Sequence, residues 1–131
     1  LLTPTYHVFE MYKVHHDATL LPATVNCGSY SLEGKELPSL SVSASRDKNG
    51  LIHISLVNID PVNAIDLLAD MRGGDYSAVS GRILTAPALN SHNTFENPDE
   101  VRPADFNNVK IRKTLVSLTI PPKSIIVLEV K

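Results

Sequence analysis

The stretch Leu40-Ser41-Val42-Ser43-Ala44-Ser45-Arg46-Asp47-Lys48-Asn49-Gly50-Leu51-Ile52-His53-Ile54-Ser55-Leu56 decides the fold. Leu40, Val42 and Ala44 alternate with Ser41, Ser43 and Ser45; Ile52, Ile54 and Leu56 then alternate with His53 and Ser55. Successive side chains of a strand point to opposite faces, so this period of two gives each strand one apolar and one polar face. Between the two runs, Asp47-Lys48-Asn49-Gly50 is a turn signal in which Asn-Gly supplies the positive φ of a tight connection. Residues 39–58 are expected as an antiparallel hairpin.

The same period continues outward from this hairpin. Asp60-Pro61 breaks the pairing; Ile65, Leu67 and Ala69 mark another strand. Arg72-Gly73-Gly74-Asp75 then turns the chain toward a strand at Val79 to Ile83, which reads as a continuing meander. Toward the end come Val109 with Ile111, then Val116, Leu118 and Ile120, a turn at Pro121-Pro122-Lys123-Ser124, and Ile126, Leu128 and Val130. Residues 19–27 and 29–32 supply further strands, placed at an edge because Pro22 and Gly28 interrupt them. From Ala86 to Asn107 no period holds, and Pro87, Pro98 and Pro103 fall in a long Asn-rich loop.

Only the N-terminus reads as helix. Thr3-Pro4 offers an N-cap followed by a first-turn proline, and Tyr6, Val8, Phe9 and Tyr12 recur at helical spacing, giving one short helix over 4–16. The fold class is therefore mainly β: an antiparallel β-sandwich, jelly-roll-like, preceded by one short N-terminal helix.

Composition narrows the function classes. The chain has 131 residues, 43% hydrophobic and 20% charged, which suits one domain with one core. A net charge of -2 with scattered signs gives no basic field, so neither nucleic acid nor a membrane is expected as partner. Cys27 is the single cysteine; neither an internal disulfide nor a cysteine-based zinc site follows from it, and a structural thiol is expected. The chain opens at Leu1 without an initiator Met or a signal-type segment, and is read as a piece of a longer protein whose localisation is written elsewhere.

Candidate chemistry is sparse. A glycosidase needs two opposed carboxylates, one with a raised pKa. Glu10 on the helix, Glu33 and Glu36 in a loop, Glu96 and Glu100 in the Asn-rich loop and Glu129 on a strand face are each read as solvated surface carboxylates. His7, His15, His16, His53 and His92 are read as surface or packing residues, since His7 meets Met11 at the i+4 position. Neither a phosphate-binding Gly-rich loop nor a G-x-S-x-G elbow occurs. The segment Asn90-Ser91-His92-Asn93-Thr94-Phe95-Glu96-Asn97 has the groups of a sugar-binding surface, but Asn side chains bonding their own backbone are the favoured reading. No catalytic, cofactor-binding, metal or substrate-binding residue is assigned, and no cofactor.

Three blocks carry a resemblance. Residues Leu2-Thr3-Pro4-Thr5-Tyr6-His7-Val8-Phe9-Glu10-Met11-Tyr12-Lys13-Val14-His15, with Asp17 to Pro22, resemble the junction of family 51 α-L-arabinofuranosidases where the last barrel helix passes the chain to the C-terminal domain. Val79-Ser80-Gly81-Arg82-Ile83-Leu84-Thr85-Ala86-Pro87, with His92-Asn93-Thr94-Phe95 and Asn97-Pro98, is similar to a second stretch of that family. Leu118 to Glu129 is similar to its closing strands, with less specificity.

The resemblance implies a division at 1–17, the last helix of a catalytic barrel and its junction, and 18–131, a C-terminal β-sandwich. It implies a whole protein that removes terminal α-L-arabinofuranosyl residues from arabinan- or arabinoxylan-type glycans with retention. The family's acid/base and nucleophile glutamates belong to the barrel, upstream of Leu1, so no position here inherits either role. The expected partner is the (β/α)8 barrel of the same parent chain, with Phe9 and its neighbours against it. Carbohydrate binding or homo-oligomer assembly stands as the alternative, the latter on the apolar sets Ile125/Val127 and Ile126/Leu128 of the last strand.

Overall fold

The computed structural model describes residues 1–131. A helix, α1 (Pro4–Tyr12), runs into a 3-10 turn (Lys13–His15). Eleven strands follow: β1 (Thr19–Leu21), β2 (Ser29–Leu32), β3 (Lys35–Pro38), β4 (Leu40–Arg46), β5 (Ile52–Asn58), β6 (Ile65–Asp70), β7 (Val79–Leu84), β8 (Ala104–Phe106), β9 (Val109–Arg112), β10 (Leu115–Ile120) and β11 (Ser124–Val130). The architecture is the antiparallel β-sandwich with one short helix that the alternation predicts.

One sheet has six strands in the order β1-β4-β5-β11-β7-β8, the other has three, β6-β10-β9, and β2-β3 form a separate ribbon. The β4–β5 hairpin has Leu40 opposite Asn58 and Arg46 opposite Ile52. At its turn Gly50 has φ +83, and the Asp47 carboxylate accepts from the Asn49 and Leu51 amides at 2.8 and 3.0 Å. The Asx contact holds the turn that the Asn-Gly pair makes sterically cheap.

Two expectations need correction. The segment 65–84 is not a meander: β6 pairs with β10 in the small sheet and β7 with β11 and β8 in the large one, so Arg72 to Asp75 carries the chain across the sandwich. The stretch 86–107 is also not wholly irregular, because Ala104–Phe106 adds a short edge strand beside β7. Alternation fixes which face a residue occupies and leaves its strand's partner open.

The core lies between the sheets. Ile52, Ile54 and Leu56 of β5 and Ile126, Leu128 and Val130 of β11 meet Val116, Leu118 and Ile120 of β10. These are the even-numbered positions, as a period of two requires. Asn58 ties the sheets at one end. Its Nδ2 donates to the carbonyls of Asn63, Ile120 and Pro121 at 2.9, 3.3 and 3.1 Å, and its Oδ1 accepts from the Asp60 amide at 3.0 Å.

Candidate functional site

The odd-numbered residues of β5, β11 and the even-numbered ones of β7 form the outer face of the six-stranded sheet, and on that face the helix docks. Thr3 caps α1 by accepting from the Tyr6 amide at 3.1 Å, with Pro4 in the first turn. Met11, only 1% exposed, packs with Leu84, Val101 and Val127, flanked by Val8, Tyr12, Val14, Ala86 and Ile125. The last strand is thus covered on both faces within the chain: Ile126 and Leu128 by the second sheet, Val127 and Ile125 by the helix and the 86–101 segment.

Beside this apolar seam lies a polar cluster that the sequence did not point to as a unit. His15 Nδ1 lies 2.6 Å from the Ser45 hydroxyl and its Nε2 lies 2.5 Å from that of Ser55. Both serines are buried. Burial, with the charge of neighbouring His53 as a smaller cause, holds His15 below the usual histidine range. Burial likewise pushes the Tyr12 phenol up, opposed by its contact with Ser55. His53, 5% exposed, has Nε2 3.3 Å from Glu129 Oε2, while its Nδ1 has no hydrogen-bond partner and sits 3.9 Å from Asp47 Oδ2. The signal for this cluster lay in Ser45, His53 and Ser55 sharing the polar face of one hairpin, with His15 at the end of the only helix.

A cleft of about 390 Å³ opens between helix and sheet, with Glu10, Lys13, His53, Arg82, Asp105 and Glu129 supplying its charged and titratable rim. Glu10 and Glu129 are part exposed, and each has partners within the chain. Glu10 accepts from Arg82 at 2.8 Å and pairs with Lys13 at 3.2 Å; Glu129 faces His53 and, at 3.8 Å, Lys131. The Arg82 hydrogen bond holds the Glu10 carboxyl below the usual range. A general acid needs the opposite displacement.

The remaining candidates are dispersed. Glu33 lies in the β2–β3 turn and Glu36, expected in a loop, on β3; both are exposed, as are Glu96, Glu100 and His92 in the long loop. His16 pairs on the surface with Asp17 at 3.4 Å. Half-buried His7 lies edge-on to Tyr6 on α1. The Cys27 thiol is partly buried and directed at the Leu40 carbonyl. No group of three or more His, Cys, Asp or Glu side chains is arranged to hold a metal ion, and no helix is long and apolar enough to cross a membrane.

The Asn-rich loop spends many of its polar groups on itself. Asn93, 7% exposed, donates to the Leu2 and Val101 carbonyls and accepts from the Val101 amide at 2.7 Å. The Asn97 amide donates to Thr94 Oγ1 and His92 Nδ1 meets the Asn90 carbonyl. Phe95 is 84% exposed, and Leu2, Tyr6 and Phe9 are exposed on the N-terminal segment and the outer side of α1.

The chain is a helix-capped antiparallel β-sandwich whose helix leaves one apolar side exposed. The chain belongs to the alpha-L-arabinofuranosidase C-terminal domain family, whose model matches residues 1–124. It is 43% identical to an intracellular exo-alpha-L-arabinofuranosidase of Bacteroides ovatus, covering 100% of this chain and 26% of that protein. The GH51 arabinofuranosidase of Xanthomonas axonopodis pv. citri has the same fold with a TM-score of 0.97 at 35% identity, over 100% of this chain and 27% of that one. The alpha-L-arabinofuranosidase of Thermotoga maritima, solved with arabinose, gives 0.84 at 26% identity, over 98% and 29%. The chain spans about a quarter of the length of these relatives.

Proposed function

We propose that this chain serves as the non-catalytic C-terminal β-sandwich of an α-L-arabinofuranosidase, buttressing a catalytic (β/α)8 barrel that belongs to the same protein. The observation that carries this reading is the match to the family's C-terminal domain over residues 1–124, within relatives about four times as long. Residues 1–17 then form the junction with the barrel and 18–131 the sandwich proper. The whole protein would remove terminal α-L-arabinofuranosyl residues from arabinan- or arabinoxylan-type glycans, retaining configuration through two barrel carboxylates about 5–5.5 Å apart.

The buttress role follows from the two sides of α1. Met11 and its neighbours bind the sheet, which fixes the helix; Tyr6 and Phe9, 49% and 75% exposed, are left facing outward. An apolar surface of this kind gains by being covered. The alternatives of glycan binding or self-assembly would use the same exposed groups together with Phe95.

The deciding experiment compares three proteins on an aryl α-L-arabinofuranoside: the whole protein, the barrel lacking residues 18–131, and this chain. Calorimetric titration of this chain with arabino-oligosaccharides runs alongside. The whole protein is expected to cleave, the truncated barrel to lose stability and activity, and this chain neither to cleave nor to bind. Cleavage by this chain, or a truncated barrel with undiminished activity and stability, overturns the reading. Sugar binding would favour the glycan-binding alternative.

A further inference from the structure

We propose that His15, with Ser45 and Ser55, forms a pH-sensitive latch that holds α1 and its 3-10 turn on the six-stranded sheet near neutrality and loosens them in mildly acid solution.

The argument rests on hydrogen-bond stoichiometry. A neutral imidazole has one donor and one acceptor nitrogen, so it suits two hydroxyls, donating to one and accepting from the other. His15 has that arrangement, bridging Ser45 on β4 and Ser55 on β5, with hydroxyl distances of 2.6 and 2.5 Å. A protonated ring donates from both nitrogens. The serine that had donated to it must then turn its proton elsewhere, in a site where Ser45 is 4% and Ser55 1% exposed. Ser55 has the Tyr12 phenol as a further partner, but Ser45 has no other side-chain hydrogen bond to receive its proton. A buried hydroxyl without an acceptor and a cation without a carboxylate are both costly.

The surroundings supply no compensating charge. Toward α1 the nearest titratable group is Tyr12, whose ring lies edge-on at 5.8 Å. From β5 comes His53, of the same sign when charged. The carboxylates of Asp47, in the β4–β5 turn, and Glu129, on β11, face His53 rather than His15. His16 and Asp17, next along the chain, pair with each other on the surface.

The consequence for the helix follows from its length. α1 has nine residues, and isolated helices shorter than about 12–15 residues are marginal in water. Loosening from the sheet and melting are therefore expected together, so amide exchange reports the latch. In a whole protein of the proposed kind, the segment released would be the one presenting Tyr6 and Phe9.

The test is amide hydrogen exchange of this chain at pH 7.5 and 5.5, corrected for intrinsic rates, with a histidine-resolved NMR titration. Protection of α1 and the 3-10 turn is expected to fall severalfold relative to β5 and β11. His15→Gln keeps one donor and one acceptor but does not titrate, and should remove that fall. Equal change in helix and strands, or the same helix-specific loosening in His15→Gln, overturns the proposal. Should the variant not fold, the titration of the unsubstituted chain decides. His15 protonating no later than exposed His16, or protonating with α1 unchanged, counts against the latch.

Discussion

The Arg82 guanidinium on β7 reaches the Glu10 carboxylate on α1 at 2.8 Å across a sequence separation of 72 residues, joining the helix to the sheet beneath it. Both side chains are part exposed, 45% and 26%, so solvent screens the pair. Its removal by Arg82→Ala or Glu10→Gln should cost no more than about 1 kcal/mol in urea unfolding, and less at high salt. Glu10 is held below its ordinary 4.5, so its contribution is present above that value and is lost as pH falls through the lower folded value. A double-mutant cycle that shows no coupling at pH 7 would remove the pair from the account of helix docking.

Asn58 carries a larger stake because it is 1% exposed and serves three carbonyls and one amide where β5, the 59–63 turn and the end of β10 meet. Asn58→Ala leaves those groups unpaired in the interior and opens a void. A loss of about 2–4 kcal/mol is expected, from the desolvation of buried polar groups together with the cavity. Asn58→Asp keeps the volume but sets a carboxylate against three carbonyl oxygens. It should be at least as damaging at pH 7 and recover in part in acid, which thermal unfolding at two pH values measures.

Gly81 is a glycine for reasons of space. A Cβ there would lie 2.8 Å from Leu128 Cδ2 and 3.3 Å from the Val127 carbonyl oxygen, on the core side of β7. Gly81→Ala is expected to destabilise by about 1–3 kcal/mol through overpacking. Calorimetry checks this, and a neutral result would show that Leu128 has a second rotamer at no cost.

The sequence made the hairpin over 39–58 legible because both strands alternate apolar and polar residues, and the Asp47-Lys48-Asn49-Gly50 turn is local chemistry. The partners of β6 and β7 were not legible. Ile65, Leu67, Ala69, Val79 and Ile83 state which side faces the core, and either sheet satisfies that demand. The site was less legible still. His15, Ser45, His53 and Ser55 come together through a helix–sheet contact, which no period announces, and a lone histidine in a sequence has no marker of burial. The partners of Glu10 and Glu129 were not legible for the same reason: Arg82 and His53 are distant in sequence.

Met11 and Phe9 lie two residues apart on α1 and face opposite ways, 1% and 75% exposed. Helical spacing alone groups Phe9 with Tyr6 and Tyr12 and hides this division of labour. Met11→Ala should cost about 2–5 kcal/mol, because Met11 is 1% exposed in its cluster with Leu84, Val101 and Val127 and a cavity would remain. Phe9→Ser should change the stability of this chain by less than about 0.5 kcal/mol, as exposed substitutions do. In the whole protein proposed above the order changes. Phe9 would be covered by the barrel, and Phe9→Ser would then lower melting temperature and activity while leaving the sandwich intact. Denaturation of both variants in both settings measures the contrast. A Phe9→Ser protein as stable and active as its parent would mean that the barrel does not sit on this side of the helix.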